Sequence, residues 1–150
     1  MRGFGTVDVA GQLSITAGQV YAPTAESFTL VAHDYNLPDD LAGTPMRPGT
    51  VSIFASGTRQ APLSAGSTLN IYATVINQDG VLQAPSGTIN LGWNGIGPAP
   101  IDSISNALVP VTQSLNLGAN SAVSYTHLDV YKRQDLVLCT VIFSPAFRLR

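Results

Sequence analysis

Four short segments of alternating apolar and polar residues constrain the fold of this chain more than any other feature. They are Gln12–Ala17, Thr50–Ala55, Thr68–Ala73 and Thr88–Leu91. Successive side chains of a β-strand point to opposite faces, so each segment predicts a strand with one apolar and one polar face. A glycine lies shortly before each segment, as a turn ahead of a strand requires: Gly11, Gly49, Gly66 and Gly87.

The two faces of these segments predict which side chains are buried. We expect the apolar row to lie inside: Leu13, Ile15, Val51, Ile53, Leu69, Ile71, Ile89 and Leu91. We expect the polar row to face outward: Ser14, Ser52, Asn70 and Asn90. A shift of one residue in register would reverse every one of these assignments.

The segments also recur at nearly equal intervals. The interval from Val51 to Leu69 is almost the same as the interval from Leu69 to Ile89, and the interval from Leu13 to Val51 is about twice as long. Further short apolar stretches lie between them, at Val20–Tyr21, Phe28–Val31, Val75–Ile76 and Val81–Leu82. A period of about 18–20 residues with two or three strands is typical of a parallel β-helix, a solenoid whose strands stack about 4.8 Å apart. The alternative is an antiparallel sandwich, whose strands also recur every ~8–12 residues.

Two stretches rich in Asp, Asn, Gly and Pro interrupt the strand pattern. They are residues 33–48 and 93–110. We expect residues 1–122 to form one all-β segment with these two stretches as protruding loops. Insertions in a solenoid often emerge on the side that meets a partner.

Composition excludes several classes of function. The first 122 residues contain three arginines, seven acids and no lysine, a net charge of about −4 by counting. Such a chain has no basic surface for nucleic acid or anionic lipid. The same residues contain one histidine and no cysteine, which does not support a zinc site. No apolar run approaches the roughly 20 residues of a membrane helix, and no signal peptide is recognisable at the N-terminus.

Candidate polar residues are few. Asp34, Asp39 and Asp40 offer oxygens to a calcium ion, but their spacing fits no EF-hand, and the glycine-aspartate nonapeptide of calcium-binding β-rolls is absent. A solvated loop is the favoured interpretation. His33 beside Asp34 has the residue types of part of a catalytic triad, but a surface histidine is favoured over it. We therefore expect no catalytic residues, no cofactor and no metal ion.

A carbohydrate-active β-helix enzyme is the alternative function, because such enzymes need clustered carboxylates and, for lyases, a basic residue. The available candidates are Asp79, Asp102, Arg47 and Arg59. Aromatic side chains for sugar stacking are Tyr21, Phe54, Tyr72 and Trp93, which ordinary packing explains equally well. An acid cluster on one sheet face would favour the enzyme, whereas a plain ladder of Ser, Thr and Asn would favour a structural segment.

Three segments carry a resemblance to a known family. They are Gly11–Thr24, Ala61–Gly66 and Gly80–Leu91, with the motifs Gly-Gln-Leu-Ser-Ile-Thr-Ala-Gly, Ala-Pro-Leu-Ser-Ala-Gly and Val-Leu-Gln-Ala-Pro-Ser-Gly-Thr-Ile-Asn-Leu. This order is similar to the repeated modules of the filamentous haemagglutinin-like exoproteins of Gram-negative bacteria, over about residues 3–122. The resemblance implies a right-handed parallel β-helix, two-partner secretion through an outer-membrane pore, and a location outside the cell or on its surface.

The function expected from the resemblance is structural. The chain would be an internal segment of a large secreted adhesin, presenting loops to a host or neighbouring cell surface, with glycans as possible targets and without enzymatic activity. The resemblance offers no catalytic residues. A fragment with no independent function is a further alternative.

The last part of the sequence differs from the rest. Residues 124–134, Ser-Tyr-Thr-His-Leu-Asp-Val-Tyr-Lys-Arg-Gln, resemble a translated sequencing adapter, and the only lysine and only cysteine, Lys132 and Cys139, lie in or beyond them. All 14 glycines precede residue 119. We therefore expect residues 123–150 to be a non-native tail. A dibasic processing site at Lys132-Arg133 is the alternative.

Overall fold

The computed structural model describes residues 5–61 and 64–124, and within them the chain is all-β. The strands are β1 (Gly5–Ala10), β2 (Gln12–Ala17), β3 (Val20–Tyr21), β4 (Ser27–His33), β5 (Thr50–Ala55), β6 (Thr68–Ala73), β7 (Val75–Asp79), β8 (Val81–Gln83), β9 (Thr88–Leu91), β10 (Ser114–Leu117) and β11 (Ala122–Ser124). The four alternating segments are β2, β5, β6 and β9, with the bounds predicted from the sequence. The part of the chain described includes no helix long and apolar enough to cross a lipid bilayer.

The strands form three parallel sheets. Sheet A has the order β1-β4-β6-β9, sheet B has the order β10-β7-β5-β2, and sheet C has the order β11-β8-β3. Every pairing between these strands is parallel. The antiparallel sandwich is therefore excluded for the described residues, and the expected parallel pairing of β6 with β9 is confirmed.

The chain visits the sheets in a fixed order. β1, β2 and β3 lie in sheets A, B and C, and the same order is repeated by β6, β7 and β8 and by β9, β10 and β11. The remaining pass, β4 and β5, contributes to sheets A and B only, and β3 therefore pairs directly with β8. Sheets A and B thus collect one strand from each of the four passes, and sheet C collects one strand from three of them.

One apolar core lies between the three sheets. It contains buried side chains from sheet A, such as Leu30, Leu69 and Ile71, from sheet B, such as Ile53, and from sheet C, such as Leu82. Six of the eight side chains expected inside are buried: Val51, Ile53, Leu69, Ile71, Ile89 and Leu91. Leu13 and Ile15 pack against this core but are only partly buried, because β2 is the edge strand of sheet B.

The predicted period is correct for only one pair of strands. Leu69 pairs with Ile89 as expected, but Val51 pairs with Leu13 and Ile76 rather than with Leu69. The similar interval between Val51 and Leu69 therefore joins strands of different sheets. Stacked residues are separated by 20 to 41 positions in sheets A and B, because insertions of unequal length lie between them.

The outer faces of sheets A and B, which point away from the core, carry ladders of hydrogen-bonded polar side chains. In sheet A, Asn70 Nδ2 donates to Thr29 Oγ1 at 3.2 Å, and Asn90 Nδ2 donates to Asn70 Oδ1 at 2.7 Å. In sheet B, Asn77 Nδ2 donates to Ser52 Oγ at 3.1 Å, and Asn116 Nδ2 donates to Asn77 Oδ1 at 2.8 Å. The outward orientation predicted for Ser52, Asn70 and Asn90 is confirmed. Ser14, exposed in β2, follows the same register.

Both insertions emerge at the connection between sheets A and B. This connection is Gly11 alone after β1 and Thr74 alone after β6, but residues 34–49 after β4 and residues 92–113 after β9. Gly11 has φ +116°, a value that glycine adopts without strain, so it permits the one-residue turn. These two connections span nearly the same residues as the loops expected at 33–48 and 93–110.

The predicted tail lies mostly outside the described residues. Val123 and Ser124, its first two residues, belong to β11 and pair with Leu82 and Gln83 of β8. The adapter-like segment from residue 125 onward and the dibasic pair lie outside the described residues.

Candidate functional site

The insertion formed by residues 92–113 folds back over the outer face of sheet A. Thr6 Oγ1 in β1 and Ser103 Oγ in the insertion are 3.0 Å apart. Val31 points outward in β4, since its neighbours Leu30 and Ala32 belong to the core, yet it is 0% exposed. The insertion therefore extends over sheet A from β9, which precedes it in the chain, to the edge strand β1.

Three titratable side chains meet where the insertion crosses this sheet. Asp8 lies in β1, His33 ends β4, and Asp102 lies in the insertion. His33 Nε2 is 3.4 Å from Asp8 Oδ1 and 3.9 Å from Asp102 Oδ2. The side chains of His33 and Asp8 are 18% and 14% exposed, and that of Asp102 is 0% exposed. The three ligand atoms lie within 4.8 Å of one another, so the cluster joins two carboxylates and one imidazole.

The register of sheet A positions Asp8 and His33. Ala10 pairs with His33 and Asp8 pairs with Val31, so Asp8 and His33 are diagonal neighbours on adjacent parallel strands. Alternation places both on the outer face, since Val7 and Val9 pack against the core. The parallel pairing of β1 with β4 therefore brings an acid and a histidine together on the face that the insertion covers.

A local turn holds Asp102. Its Oδ1 accepts a hydrogen bond from the backbone N–H of Ile104 at 3.2 Å. Its Oδ2 accepts hydrogen bonds from the backbone N–H of Ser105 at 2.9 Å and from Ser105 Oγ at 2.6 Å. An aspartate that bonds to backbone groups two and three residues later stabilises such a turn. This turn therefore orients the Asp102 carboxylate independently of its contacts with His33 and Asp8.

The pKa values of the two carboxylates are shifted in opposite directions. Burial raises the pKa of Asp8. A hydrogen bond with Asp102 and the negative charge of Asp102 raise it further, whereas attraction to His33 lowers it. Burial opposes ionisation of Asp102 as well, but the hydrogen bonds from Ser105 and Ile104 outweigh it and hold the pKa of Asp102 at about 2. Asp102 is thus the fixed negative charge of the cluster, and Asp8 is the group whose ionisation is disfavoured.

His33 has an unsatisfied nitrogen. Its Nε2 atom is buried and has no hydrogen-bond partner, although Asp8 Oδ1 lies at 3.4 Å. A charge-assisted hydrogen bond between a ring N–H and a carboxylate is shorter, about 2.7–2.9 Å. His33 is therefore not the freely exposed surface histidine expected from the sequence, and its Nε2 faces both carboxylates without bonding to either.

A cleft of about 260 Å³ adjoins this cluster. It lies between the outer face of sheet A and the insertion, and its lining includes Tyr72, Asn70, Pro100, Asp102 and Val109. The lining contains one carboxylate and no positive charge. The cleft is thus a mixed polar and apolar surface beside the cluster.

Two of the three acids considered for a calcium ion, Asp34 and Asp40, make contacts within the fold. Asp34 Oδ1 accepts hydrogen bonds from the backbone N–H of Gly49 at 2.7 Å and from Thr74 Oγ1 at 2.5 Å. Asp40 accepts a hydrogen bond from the backbone N–H of Leu37 and forms an ion pair with Arg47, whose Nη1 is 2.7 Å from Asp40 Oδ2. Both interactions lower the pKa of Asp40. Both carboxylates thus stabilise the insertion 34–49.

The residues considered for an enzyme are dispersed. Asp79 accepts hydrogen bonds from the backbone and side chain of Asn120, and Arg47 is paired with Asp40. Only Asp102 of this set lies in the cluster. The aromatic candidates belong to different parts of the fold: Tyr21 to sheet C, Phe54 to sheet B, Tyr72 to sheet A and Trp93 to the insertion. They do not form one sugar-stacking surface.

The sequence does not predict the cluster. It offers Asp102 only as an isolated acid and assigns no role to Asp8. One signal is present for Asp8, which is a polar residue at an outward position of the alternating segment Thr6–Val9. Its proximity to His33 follows from the register of β1 and β4, which alternation alone does not determine.

Comparison of the chain with models of protein families, with curated proteins and with solved structures gives no match.

Proposed function

We propose that this chain is a segment of a right-handed parallel β-helix that serves as the structural shaft of a large secreted bacterial surface protein of the adhesin type. The observation that carries the proposal is the repeated passage through sheets A, B and C with parallel pairing throughout. Repeated return to the same sheets in the same order and direction supports winding of the chain around a common axis. Parallel crossover connections within one sheet are right-handed in about 98% of cases, which supports the handedness.

The outer surface supports a structural role. Ladders of Ser, Thr and Asn run across the outer faces of sheets A and B, from each strand to the next. Each ladder amide bonds to the pass next to it, so the ladders stabilise stacking of passes rather than bind a ligand. This is the surface that the sequence associates with a shaft.

The two insertions supply the surface that would contact a partner. Of the eleven large apolar side chains exposed in the described part of the chain, eight lie in the insertions. They are Leu37, Leu41, Met46, Ile96, Ile101, Ile104, Leu108 and Val111. Both insertions start from the connection between sheets A and B, so one edge of the shaft presents both. The proposed partner is a host or neighbouring cell surface, and export would use an outer-membrane pore of the two-partner type.

A binding experiment tests the role of the insertions. The full chain is labelled and applied to cultured epithelial cells and to a glycan array, alongside the double variant Ile104→Ser/Leu108→Ser. We expect the variant to bind at least tenfold more weakly with an unchanged circular dichroism spectrum. The matched control, Phe54→Ser/Leu117→Ser, removes two exposed apolar side chains from sheet B and should bind like the parent. The absence of saturable binding by the parent, or equal losses in both variants, would contradict the adhesive role.

The acid cluster favours a second candidate, a carbohydrate-active enzyme fragment, since Asp8 and Asp102 are paired carboxylates on one sheet face. The environment of Asp102 weighs against this candidate. Asp102 has no exposed side-chain surface and already accepts three hydrogen bonds, so it cannot reach a glycosidic oxygen. We expect no release of reducing ends or unsaturated uronates from pectin, alginate or other polysaccharides. Turnover that disappears in Asp102→Asn would reverse this choice.

A further inference from the structure

The cluster of Asp8, His33 and Asp102 has the donors of a metal site. It brings two carboxylates and one imidazole from three separate segments of the chain to one point. Its central nitrogen, His33 Nε2, is buried and lacks a hydrogen-bond partner. Buried polar atoms are nearly always satisfied, and a cation between His33 Nε2 and the two carboxylates would give this nitrogen a partner.

We propose that Asp8, His33 and Asp102 bind one divalent transition-metal ion, with Zn²⁺ the best fit, and that the ion fastens the insertion 92–113 to sheet A. This inference is independent of the proposed shaft function. The sequence alone does not support a zinc site, because residues 1–122 contain no cysteine and only one histidine. The carboxylates supply the ligands that the sequence pattern does not reveal.

The two distances from His33 Nε2 to the carboxylates are close to those of a small-cation site. Zn–N and Zn–O bonds of roughly 2.0–2.2 Å in a tetrahedral site place neighbouring ligand atoms about 3.3–3.5 Å apart. His33 Nε2 and Asp8 Oδ1 are 3.4 Å apart, and His33 Nε2 and Asp102 Oδ2 are 3.9 Å apart. The first distance already matches a tetrahedral edge, and the second exceeds it by about half an ångström, within reach of a side-chain rotation. Calcium and magnesium prefer all-oxygen sites, so the imidazole selects a transition metal.

Local contacts prepare the ligands. The backbone N–H and Oγ of Ser105 donate to Asp102 Oδ2, so this oxygen is held in place by the kind of outer hydrogen bond that orients metal-binding carboxylates. A divalent cation would neutralise the two carboxylates and remove their mutual repulsion. Asp8 and His33 are partly exposed, so water can complete the coordination.

The site would have a mechanical consequence. Asp8 and His33 belong to the first two strands of sheet A, whereas Asp102 follows β9 at the opposite edge. Outside the cluster, the insertion contacts β1 through the hydroxyls of Thr6 and Ser103, which are 3.0 Å apart. A bound ion would therefore fasten the apolar insertion across the full width of the sheet.

Metal titration tests the proposal. The full chain carries the double substitution His127→Ala/Cys139→Ser, which removes the remaining histidine and the only cysteine as competing ligands. This parent is treated with EDTA, dialysed and titrated with ZnCl₂ by calorimetry and with CoCl₂ by visible absorption. We expect one site per chain, a cobalt spectrum typical of four-coordination, and a rise in Tm of roughly 5–10 °C at a hundredfold excess over Kd. Hydrogen exchange at the amides of Ile104 and Ser105 should slow when zinc is added.

Two variants locate the site. His33→Ala and Asp8→Asn in the same background should each weaken zinc binding at least tenfold and abolish the cobalt bands, whereas Asp39→Asn, an exposed acid of the other insertion, should not. Each variant is first checked by circular dichroism. A parent that binds neither zinc nor cobalt overturns the proposal, whatever the variants do. Binding that is equally tight in the parent and in either folded cluster variant also overturns it.

Discussion

Replacement of Leu69 by alanine tests the core and the register together. Leu69 in β6 is 0% exposed and is stacked in register between Phe28 of β4 and Ile89 of β9. Truncation removes buried apolar surface and leaves a cavity between three strands that cannot collapse independently. Leu→Ala changes at such positions cost about 2–5 kcal/mol, and we expect about 3 kcal/mol here.

The matched control is Leu13→Ala. Leu13 belongs to the same inward row, but it lies in the edge strand β2 and is partly exposed. Its truncation should cost about 1 kcal/mol, since less area returns to water and the site can relax. The outward neighbour Asn70 is a second control, because Asn70→Ala removes ladder hydrogen bonds that contribute roughly 1 kcal/mol each.

Urea unfolding followed by circular dichroism measures these differences. With an m value of about 1.5 kcal/mol/M, a loss of about 3 kcal/mol lowers the midpoint by about 2 M. The expected order of destabilisation is Leu69→Ala first, followed by the two controls. A larger loss for Asn70→Ala than for Leu69→Ala would mean that the register is shifted by one residue and would refute the assignment of faces.

Three further predictions concern the insertion 34–49, the cluster residue Asp8 and the tail. Asp34→Ala should lower stability by about 1–3 kcal/mol in thermal unfolding, because it leaves two donors unsatisfied, whereas Asp39→Ala should change nothing measurable; equal effects would contradict the role assigned to Asp34. In EDTA, Asp8→Asn should raise Tm at pH 7. The folded-state pKa of Asp8 is raised, so the fold loses stability as pH rises from the unfolded value of 3.8 through the folded value. This gain should largely vanish near pH 3, where Asp8 is mostly protonated in both states; a gain that persists there would refute the explanation that burial and the neighbouring Asp102 disfavour ionised Asp8. Deletion of residues 125–150 should leave Tm unchanged, and unfolding of the shortened chain would show that the tail is native.

Local features of the fold could be predicted from the sequence. The bounds of β2, β5, β6 and β9 and the buried face of β5, β6 and β9 follow from alternation alone, because the pleat of a strand imposes it. The strands β1, β10 and β11 were not predicted. β1 alternates over only the four residues Thr6–Val9, and β10 and β11 are only four and three residues long.

The sheet assignment and the cluster could not be predicted in the same way. Insertions of unequal length break the period. The nearly equal spacing in the sequence therefore predicted that Val51 pairs with Leu69, although the two residues lie in different sheets. The cluster joins residues far apart in the chain, and each contact depends on a register or on the path of a long insertion. Alternation contains no information on either. The physical signals of the cluster, an orphaned nitrogen and two opposed carboxylates, exist only once the chain is folded.

Disulfide trapping tests the central claim, the winding of the chain through stacked parallel strands, most directly. In a Cys139→Ser background, the pair Asn70→Cys/Asn90→Cys occupies register partners on adjacent strands, about 4.8 Å apart and within the range that a disulfide spans. The control pair Ser52→Cys/Asn70→Cys has a similar spacing in sequence but lies on the outer faces of different sheets. After mild oxidation, intact mass and gel mobility should show an intramolecular disulfide in the first pair and free thiols in the second. Free thiols in the first pair together with a disulfide in the control pair would contradict the account.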